Sequence, residues 1–450
     1  MIAATQWAKA QNPVIQTSYT PDPAPYVCDD TLWVFVDHDE DTAHYFRMKD
    51  WQLYCTTDMV NYTYRGTPMT TATFKWARQG DNAWASQAVR RNGKWYWYVA
   101  AEDSARHMHG IGVAVANRPE GPYTDPIGRP LVPGDWGFID PSVFVDDDGQ
   151  AYLFWGNNGL WYARLNDDMV SLGSDIIKVN TEDTTAFGPM VMKHDYKLNR
   201  KTMKTNFEEA PWVYKSGGTY FIEYAAGGVP EHWAYSTAPT IDGPWTYRGR
   251  IMDESPNSFT IHGGSVNYHG RDFMFYHCGR LPEGGGFRRS TSVEEFKRKS
   301  DGSIPFIPIT RQGVATPVRF LNPYARVEAE TMAGSHGLKT DRLSGRFHYV
   351  TSVDDGDWMR LRAVDFGRGN RGRVIKACVR SGKGGTIEFR AGGTVEASSA
   401  MGTLKVKPTG GRWKTVEARL DNVPAGVCDI CIVFRGDGGD LLDFDWWTIE

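Results

Sequence analysis

The chain is 450 residues long, which excludes a single small module and leaves room for roughly two to four domains, or for one large closed architecture with an appendage. Fifty Lys and Arg residues against 54 Asp and Glu residues give a net charge of −4, and the charges are scattered along the chain. Neither a nucleic acid nor a membrane surface is therefore an expected partner. Hydrophobic residues make up 41% of the chain, which is typical of a folded protein with a large core.

We expect no signal peptide or membrane span in this sequence, and the Ala-Lys-Ala before Gln11 leaves open the remnant of a cleaved signal or an added segment. The first ten residues, MIAATQWAKA, lack the apolar stretch of a signal peptide, and no run elsewhere approaches the 18 or so apolar residues of a membrane span. Six cysteines are too few for a disulfide scaffold in a chain of this length. We expect a soluble, monomeric protein.

Short aromatic or β-branched runs bounded by Gly, Asn and Asp recur along residues 1–310, and helical periodicity is nearly absent, which predicts an all-β protein. Five of the runs share one plan: an acidic or aromatic first residue, a strand, a turn with Gly or Asp, and a strand of aromatics. These first residues, spaced 62, 56, 69 and 53 positions apart, are Asp22, Trp84, Asp140, Glu209 and His262. Repeats of this period predict a five-bladed β-propeller, because each four-stranded blade buries its faces against its neighbours.

The pattern changes near Asn322-Pro323. From there to the end, alternating strands follow one another at the spacing of a β-sandwich, without another repeat of the earlier plan. We predict a propeller domain at 1–310, a linker at 311–325 and a β-sandwich (jelly-roll) domain at 326–450.

Three of the five first residues are carboxylates, namely Asp22, Asp140 and Glu209, and each directly precedes Pro or Ala-Pro. The innermost strands of a propeller line one central cavity, so these side chains are expected to converge. A single Asp-Pro more often caps a turn, but three acids at matching positions favour a shared site. Crowded carboxylates raise the pKa of at least one member, which leaves a protonated acid beside an ionised one. Glycosidic bond cleavage requires such a pair.

The motifs TPDPAPY (20–26), GFIDPSVFVDDDG (137–149), FEEAPWVYK (207–215) and HGGSV (262–266) resemble glycoside hydrolase family 43. The resemblance implies a five-bladed propeller and an inverting mechanism that needs no cofactor. It also implies that Asp22 is the general base, that Asp140 orients the proton donor and tunes its pKa, and that Glu209 is the general acid. The family's acid directly precedes the small residue and Pro, so Glu208 is not chosen.

Three further residues match the family pattern. Trp84 would form a wall of the sugar pocket, with a core Trp as the alternative. His262 matches a histidine near the propeller axis that often approaches a hydrated metal ion, and a buried structural His is the alternative. Arg289 matches an arginine that reaches substrate hydroxyls, with a surface ion pair as the alternative.

The segments QTSYTPDPAPY, DHDED and RRSTSVEEF resemble the branch of arabinofuranosidases and xylosidases that act on arabinoxylan. The implied protein is an exo-acting enzyme that removes α-L-arabinofuranosyl residues from this plant cell-wall polysaccharide or its oligosaccharides. A β-1,4-xylosidase or xylanase on the same scaffold, and a non-catalytic glycan-binding protein, are the alternatives. An enzyme on such a substrate is expected to be secreted or periplasmic.

The last part of the chain resembles carbohydrate-binding module family 6, through RVEAETM, DGDWMRLRAVDFG, TGGRWKTVEARL and FDWW. The resemblance implies a structural calcium ion, for which Glu328, Glu330 and Asp445 are the candidate ligands. It further implies a cleft in which two aromatics, here Tyr349 and Trp413, sandwich a sugar. Asp443 stands where that cleft usually has an Asn, so a domain that serves only as a structural partner is the alternative.

Overall fold

The computed structural model describes residues 12–191, 204–345, 347–369 and 374–450. The N-terminal decapeptide considered above lies outside these residues. The described chain is all-β, with one short α-helix (α1, Thr184–Phe187) and one 3-10 turn (Thr71–Thr73). None of the described helices has the length and apolarity that crossing a bilayer requires. All six cysteines are free thiols.

The chain divides into two compact units. The larger unit consists of Tyr19–Leu53 and Thr67–Thr310. The smaller unit takes in the described residues up to Ser18, then Tyr54–Gly66 and Arg311–Glu450.

The strands before residue 310 are short and follow one another closely. In chain order they are β1 (Ala24–Cys28), β2 (Thr31–Asp39), β3 (Met48–Thr56), β4 (Tyr62–Tyr64), β5 (Met69–Thr70), β6 (Ala83–Arg91), β7 (Lys94–Asp103), β8 (Met108–Ala116), β9 (Val132–Pro133), β10 (Ser142–Val145), β11 (Ala151–Trp155), β12 (Leu160–Leu165), β13 (Ile177–Val179), β14 (Phe207–Ser216), β15 (Thr219–Ala226), β16 (His232–Ala238), β17 (Thr246–Met252), β18 (Gly263–Tyr268), β19 (Arg271–Cys278) and β20 (Ser290–Phe296).

These strands form five antiparallel sheets in the larger unit, and each sheet uses strands that are consecutive in the chain. The sheets are β1-β2-β3 with β5 beside β3, then β6-β7-β8-β9, β10-β11-β12-β13, β14-β15-β16-β17 and β18-β19-β20. Each begins with one of the five predicted hairpins. The β6–β7 turn illustrates the local cause: Arg91 pairs with Lys94, and Asn92 and Gly93 between them have φ of 50° and 77°, which a two-residue hairpin turn requires.

Aromatic side chains fill the spaces between these sheets. The largest apolar cluster includes the fully buried Trp51, Trp97 and Trp233 and draws residues from four of the five sheets. The sheet β10–β13 packs through two further clusters, one shared with β6–β9 and one with β14–β17. Burying rings of this size on both faces of each sheet is the main source of stability in the larger unit.

The smaller unit consists mainly of two antiparallel sheets. Its strands beyond residue 310 are β21 (Val327–Glu328), β22 (Thr331–Met332), β23 (Gly334–His336), β24 (Lys339–Ser344), β25 (Phe347–Thr351), β26 (Trp358–Asp365), β27 (Val374–Arg380), β28 (Gly385–Ala391), β29 (Ser399–Val406), β30 (Lys414–Arg419), β31 (Val427–Arg435) and β32 (Asp443–Ile449). One sheet has the order β24-β25-β32-β27-β30, with β21 beside β32, and the other has the order β23-β26-β31-β28-β29.

Both sheets of the smaller unit contribute to one apolar core, in which Phe389 of one sheet contacts Trp447 of the other. The segment Tyr54–Gly66 belongs to this unit through β4, which pairs with Tyr54 and Cys55 on one side and with β22 on the other. Nothing in the sequence spacing indicated that pairing.

Candidate active site

The first residues of the five repeated hairpins meet at one pocket of the larger unit. Its volume is about 350 Å³, within the range of small-molecule sites. The pocket lining includes every site residue predicted for this part of the chain: Asp22, Trp84, Asp140, Glu209, His262 and Arg289. The sequence repeat therefore identified residues that the fold brings together across 267 positions of chain.

Bends in the backbone aim the three carboxylates. Asp22 and Asp140 have φ of 54° and 58°, in the left-handed region that residues other than glycine rarely adopt. Ala210, directly after Glu209, has φ of 57°, and the pairing of β14 with β15 shifts register at Glu209. Such conformations persist only where the surrounding structure enforces them, and they cluster at functional sites.

Two glycines position the strand that follows His262. A Cβ atom on Gly263 would lie 1.9 Å from the Phe275 carbonyl oxygen, and one on Gly264 would lie 2.1 Å from the Trp212 ring. Only glycine permits this close approach. The HGG part of the motif thus holds β18 tightly against its neighbours, with His262 at the pocket wall.

Asp22 is 5% exposed and is surrounded by basic groups. Its Oδ1 lies 3.0 Å from His277 Nδ1, 3.3 Å from an Arg289 guanidinium nitrogen and 3.8 Å from His262 Nδ1. Burial acts to raise the pKa of Asp22, but the charge of Arg289 and the hydrogen bond with His277 outweigh it and hold the pKa well below its usual range. Asp22 is therefore ionised at neutral pH.

Arg289 is a buried residue and not the surface ion-pair partner that was the alternative. It is 3% exposed, and its Nε and one terminal nitrogen donate to the two carboxylate oxygens of Asp39 at 3.0 Å each. A second terminal nitrogen faces Asp22, and the guanidinium lies over the Phe46 ring at 4.9 Å. Asp39 fixes the arginine in the plane that allows it to reach Asp22.

Replacing Arg289 with methionine is expected to lower the free energy of unfolding by about 3–5 kcal/mol, because it leaves the completely buried Asp39 without its cation. Urea unfolding followed by tryptophan fluorescence measures this loss. The adjacent Arg288→Met is the matched control, since Arg288 is only half-buried and contacts a backbone carbonyl at 3.4 Å. Equal stability of the two variants would contradict a structural role for the Arg289–Asp39 pair.

Asp140 and Glu209 have the opposite protonation preference. Burial raises the pKa of Asp140 well above its usual range, and the negative charges of Glu209 and Asp22 raise it further. Burial also raises the pKa of Glu209, although Asn157 donates a hydrogen bond to its Oε2. Asp140 Oδ2 accepts the Ala210 amide at 3.0 Å, which ties it to the residue after Glu209. The pocket thus combines one ionised carboxylate with two acids that favour the protonated form.

His262 is uncharged in this environment, because burial lowers its pKa to about 4. It lines the pocket, with its Nδ1 3.8 Å from Asp22 Oδ1. At neutral pH its ring offers a hydrogen bond without adding a charge.

Aromatic rings form the rest of the pocket wall. Trp84 stacks on the buried His109, with ring centroids 4.3 Å apart, and Trp136 contacts the same histidine edge to face at 4.7 Å. Trp136 is 55% exposed. Trp84 lines the pocket and also packs against two of the apolar clusters of the larger unit. The lining residues that were not predicted from the sequence are Phe46, Met48, Ala85, Trp136, Ile139, Asn157 and Thr260.

In the smaller unit, the predicted calcium ligands line a separate pocket of about 180 Å³. Arg326 donates to Glu328 at 2.8 Å and lies 3.4 Å from Asp445 Oδ1. Glu330 is buried, and its Oε2 has no hydrogen-bond partner among the described residues. Burial raises the pKa of Glu330 to about 8. The unpartnered oxygen fits a cation, whereas the other two carboxylates are held by Arg326.

Tyr349 and Trp413 contact each other edge to face, with ring centroids 5.4 Å apart. The Arg380 guanidinium lies over both rings, at 5.2 and 4.9 Å, and is fixed by Asp443 at 2.6 Å. A sugar that lay between these rings would have to displace Arg380. Asp443, the departure from the expected Asn, is what holds the arginine there.

Comparison with known families agrees with both parts of the chain. Residues 10–304 match the model of glycosyl hydrolases family 43, and residues 328–450 match the carbohydrate binding module (family 6). Two similar proteins are arabinoxylan arabinofuranohydrolases. The protein from Bacillus subtilis is 32% identical over 87% of this chain and 81% of its own length. The protein from Paenibacillus polymyxa is 31% identical over 97% of this chain and 74% of its own length.

Solved structures show the same relationship. The crystal structure of a glycoside hydrolase family 43 arabinoxylan arabinofuranohydrolase from Bacillus subtilis in complex with cellotetraose superposes with a TM-score of 0.80 at 27% identity and covers 99% of both chains. A β-xylosidase/α-arabinofuranosidase of the same family from a compost microbial metagenome, in a calcium-free form with xylotriose, has a TM-score of 0.57 at 26% identity. It covers 67% of this chain and 98% of its own.

Proposed function

Because the chain belongs to glycosyl hydrolases family 43, we propose that this glycoside hydrolase is an inverting, exo-acting enzyme that releases α-L-arabinofuranosyl residues from arabinoxylan or its oligosaccharides. The observation that carries the proposal is the pocket itself, in which the ionised Asp22 lies with the protonated acids Asp140 and Glu209. The substrate follows from the two similar arabinofuranohydrolases.

The proposed mechanism is a single displacement in which water attacks the anomeric carbon. Asp22 takes the proton from the attacking water, since it is the carboxylate held in the ionised form. Glu209 gives its proton to the departing oxygen, for which a raised pKa is suited. Asp140 orients the acid through the Ala210 amide, and the negative charge of Asp22 helps to keep Glu209 protonated. Arg289 and His262 are positioned to hold substrate hydroxyls.

The same proposal includes the architecture. We propose that the five consecutive sheets are the blades of a five-bladed propeller over residues 1–310, followed by a linker at 311–325 and a jelly-roll domain at 326–450. Convergence of the first residue of each repeated hairpin motif on one pocket supports this arrangement. We further propose a secreted or periplasmic, monomeric enzyme, since its polymeric substrate lies outside the cell.

Product analysis on arabinoxylan and on xylo-oligosaccharides, in parallel, tests the proposal. Release of arabinose alone, in the inverted configuration by NMR of the first-formed anomer, is the expected result. Release of xylose would support a β-xylosidase, an activity that appears in the names of two relatives called xylosidase/arabinosidase. Release of short xylo-oligosaccharides would support a xylanase. If neither substrate released sugar while arabinoxylan still bound, the protein would be a glycan-binding protein.

We also propose that the smaller unit binds a structural calcium ion through Glu328, Glu330 and Asp445. Calcium would supply the positive charge that the unpartnered Oε2 of Glu330 lacks, and Arg326 would turn away from the other two carboxylates.

Binding of a sugar at Tyr349 and Trp413 would require Arg380 to move, because its guanidinium lies over both rings. Titration of Arg380→Ala with xylo-oligosaccharides tests whether that arginine blocks the cleft.

Calcium is expected to raise the melting temperature of the EDTA-treated protein by about 5 °C or more at saturation, because an ion bound only by the folded unit stabilises it. In Glu330→Gln this increase should be lost. The exposed Glu417→Gln, on a different strand of the same unit, should respond as the wild type does. Differential scanning fluorimetry with and without calcium makes the comparison, and an unchanged melting temperature in the wild type would exclude the site.

A further inference from the structure

Asp37, the first residue of the DHDED segment, is a completely buried acid that does not line the pocket. It lies on β2, and its backbone amide donates to the Pro21 carbonyl oxygen at 3.2 Å. Two residues on, the Asp39 amide donates to the Tyr19 carbonyl oxygen at 3.1 Å, so the segment that carries Asp22 runs alongside β2. This register places Asp37 beside the segment that carries Asp22, close enough for the charge of Asp22 to act on the Asp37 carboxyl group.

The surroundings of Asp37 do not support a charge. Ser86 Oγ donates to Oδ1 at 3.4 Å, which is a weak contact, and Oδ2 has no donor among the described residues. An ionised carboxylate with an unsatisfied oxygen in a dry interior carries a large desolvation cost. A hydrogen bond between two carboxyl groups also needs a proton on one of them.

The charges around the pair decide which of the two carries the proton. Asp22 faces the Arg289 guanidinium and the ring nitrogens of His277 and His262, and the charge of Arg289 with the hydrogen bond of His277 favours its ionised form. Asp37 faces mainly the two carboxylates Asp22 and Asp39, while Arg289 directs its nitrogens to those same carboxylates. Asp140 and Glu209, across the pocket, also act on Asp22, and both favour their protonated forms. Burial and the charge of Asp22 raise the pKa of Asp37 well above its usual range.

We propose that Asp37 is a positioning residue that stays protonated and donates a hydrogen bond to Asp22, fixing the orientation and the negative charge of the general base. The inference rests on the proposed role of Asp22 and deepens it. Asp37 does not line the pocket and touches no substrate. A neutral donor holds an ionised carboxylate without adding a second charge, which an ionised neighbour would do.

Two variants separate the possible roles of Asp37. Asp37→Asn keeps a donor of the same shape without a titratable proton, so the acid limb of kcat/KM is expected to stay where it is in the wild type. Asp37→Ala removes the donor, so the pKa of Asp22 should rise and the acid limb should move upward by about one pH unit, together with a fall in kcat of about tenfold or more. Ser86→Ala, which removes only the remaining contact of Asp37, is the matched control and should leave the limb in place.

The same prediction has a readout that needs no substrate. Carboxyl carbons labelled with ¹³C at aspartate can be titrated by NMR, with Asp22→Asn identifying the Asp22 signal. The Asp22 signal should titrate at higher pH in Asp37→Ala than in the wild type and should not move in Asp37→Asn. A downward shift in Asp37→Asn would mean that Asp37 is ionised in the native protein and would overturn the proposal, as would an unshifted signal in Asp37→Ala. If the wild type released no sugar, the proposed function would fail while this titration still decided the pairing.

Discussion

Asp22→Asn is expected to lower kcat on arabinoxylan and on an activated aryl arabinofuranoside alike, each by about 10³- to 10⁴-fold. In a single displacement the water must lose its proton in the same step in which the glycosidic bond breaks, so the base is needed whichever leaving group departs. An amide has nearly the shape of the carboxylate but accepts no proton. Steady-state kinetics on the two substrates measures the losses.

The control for Asp22→Asn is Asp29→Asn, which removes a largely exposed carboxylate from a turn of the same sheet. It should leave kcat within about twofold, since surface substitutions of this kind have small effects. Activity of Asp22→Asn within tenfold of the wild type would show that another group takes the proton. Loss on the natural substrate alone would instead assign Asp22 to leaving-group departure.

The charge distribution around Asp22 explains why this residue, and not Asp140 or Glu209, is suited to the basic role. Asp22 and Asp140 are buried and Glu209 is half-buried, and loss of solvent alone would raise the pKa of each. Only Asp22 lies within 3.3 Å of both a guanidinium and an imidazole nitrogen. The different protonation of these equivalent positions therefore depends mainly on Arg289, whose own orientation is set by Asp39, and the proposed roles follow from it.

The sequence predicted the parts of this site that recur. An acid before Pro or Ala-Pro at the start of successive hairpins is a local pattern, and a closed or ring-like arrangement of sheets brings such positions together. The five hairpins and the three carboxylates at one pocket could be predicted for that reason. The glycines after His262 belong to the same motif and are explained by close packing against β19 and Trp212.

What the sequence did not predict depends on contacts between segments that share no pattern. Trp136 lies on a loop before Asp140, and Asn157 lies on another loop after β11. Asp37 and Asp39 lie two residues apart on the same strand, yet Asp39 binds the Arg289 guanidinium whereas Asp37 lies next to the Asp22 carboxylate. The sequence also could not show which of two adjacent arginines is buried. Arg288 and Arg289 have the same side chain, and only the folded structure shows that Arg289 is buried while Arg288 is half-buried.

Glu209→Gln is expected to abolish most turnover on arabinoxylan, with kcat about 10³-fold lower, while an aryl arabinofuranoside with a good leaving group should lose much less. The leaving oxygen of arabinoxylan departs only when it is protonated, whereas an activated phenolate departs without a proton donor.

Because the pKa of Glu209 is raised, the working form of this residue is the protonated one, so wild-type kcat/KM should fall as the pH rises through that pKa. This alkaline limb should be absent from Glu209→Gln. Glu208→Gln, one residue away and outside the pocket lining, is the matched control and should keep both the rate and the limb; if it lost them instead, the general acid would be Glu208.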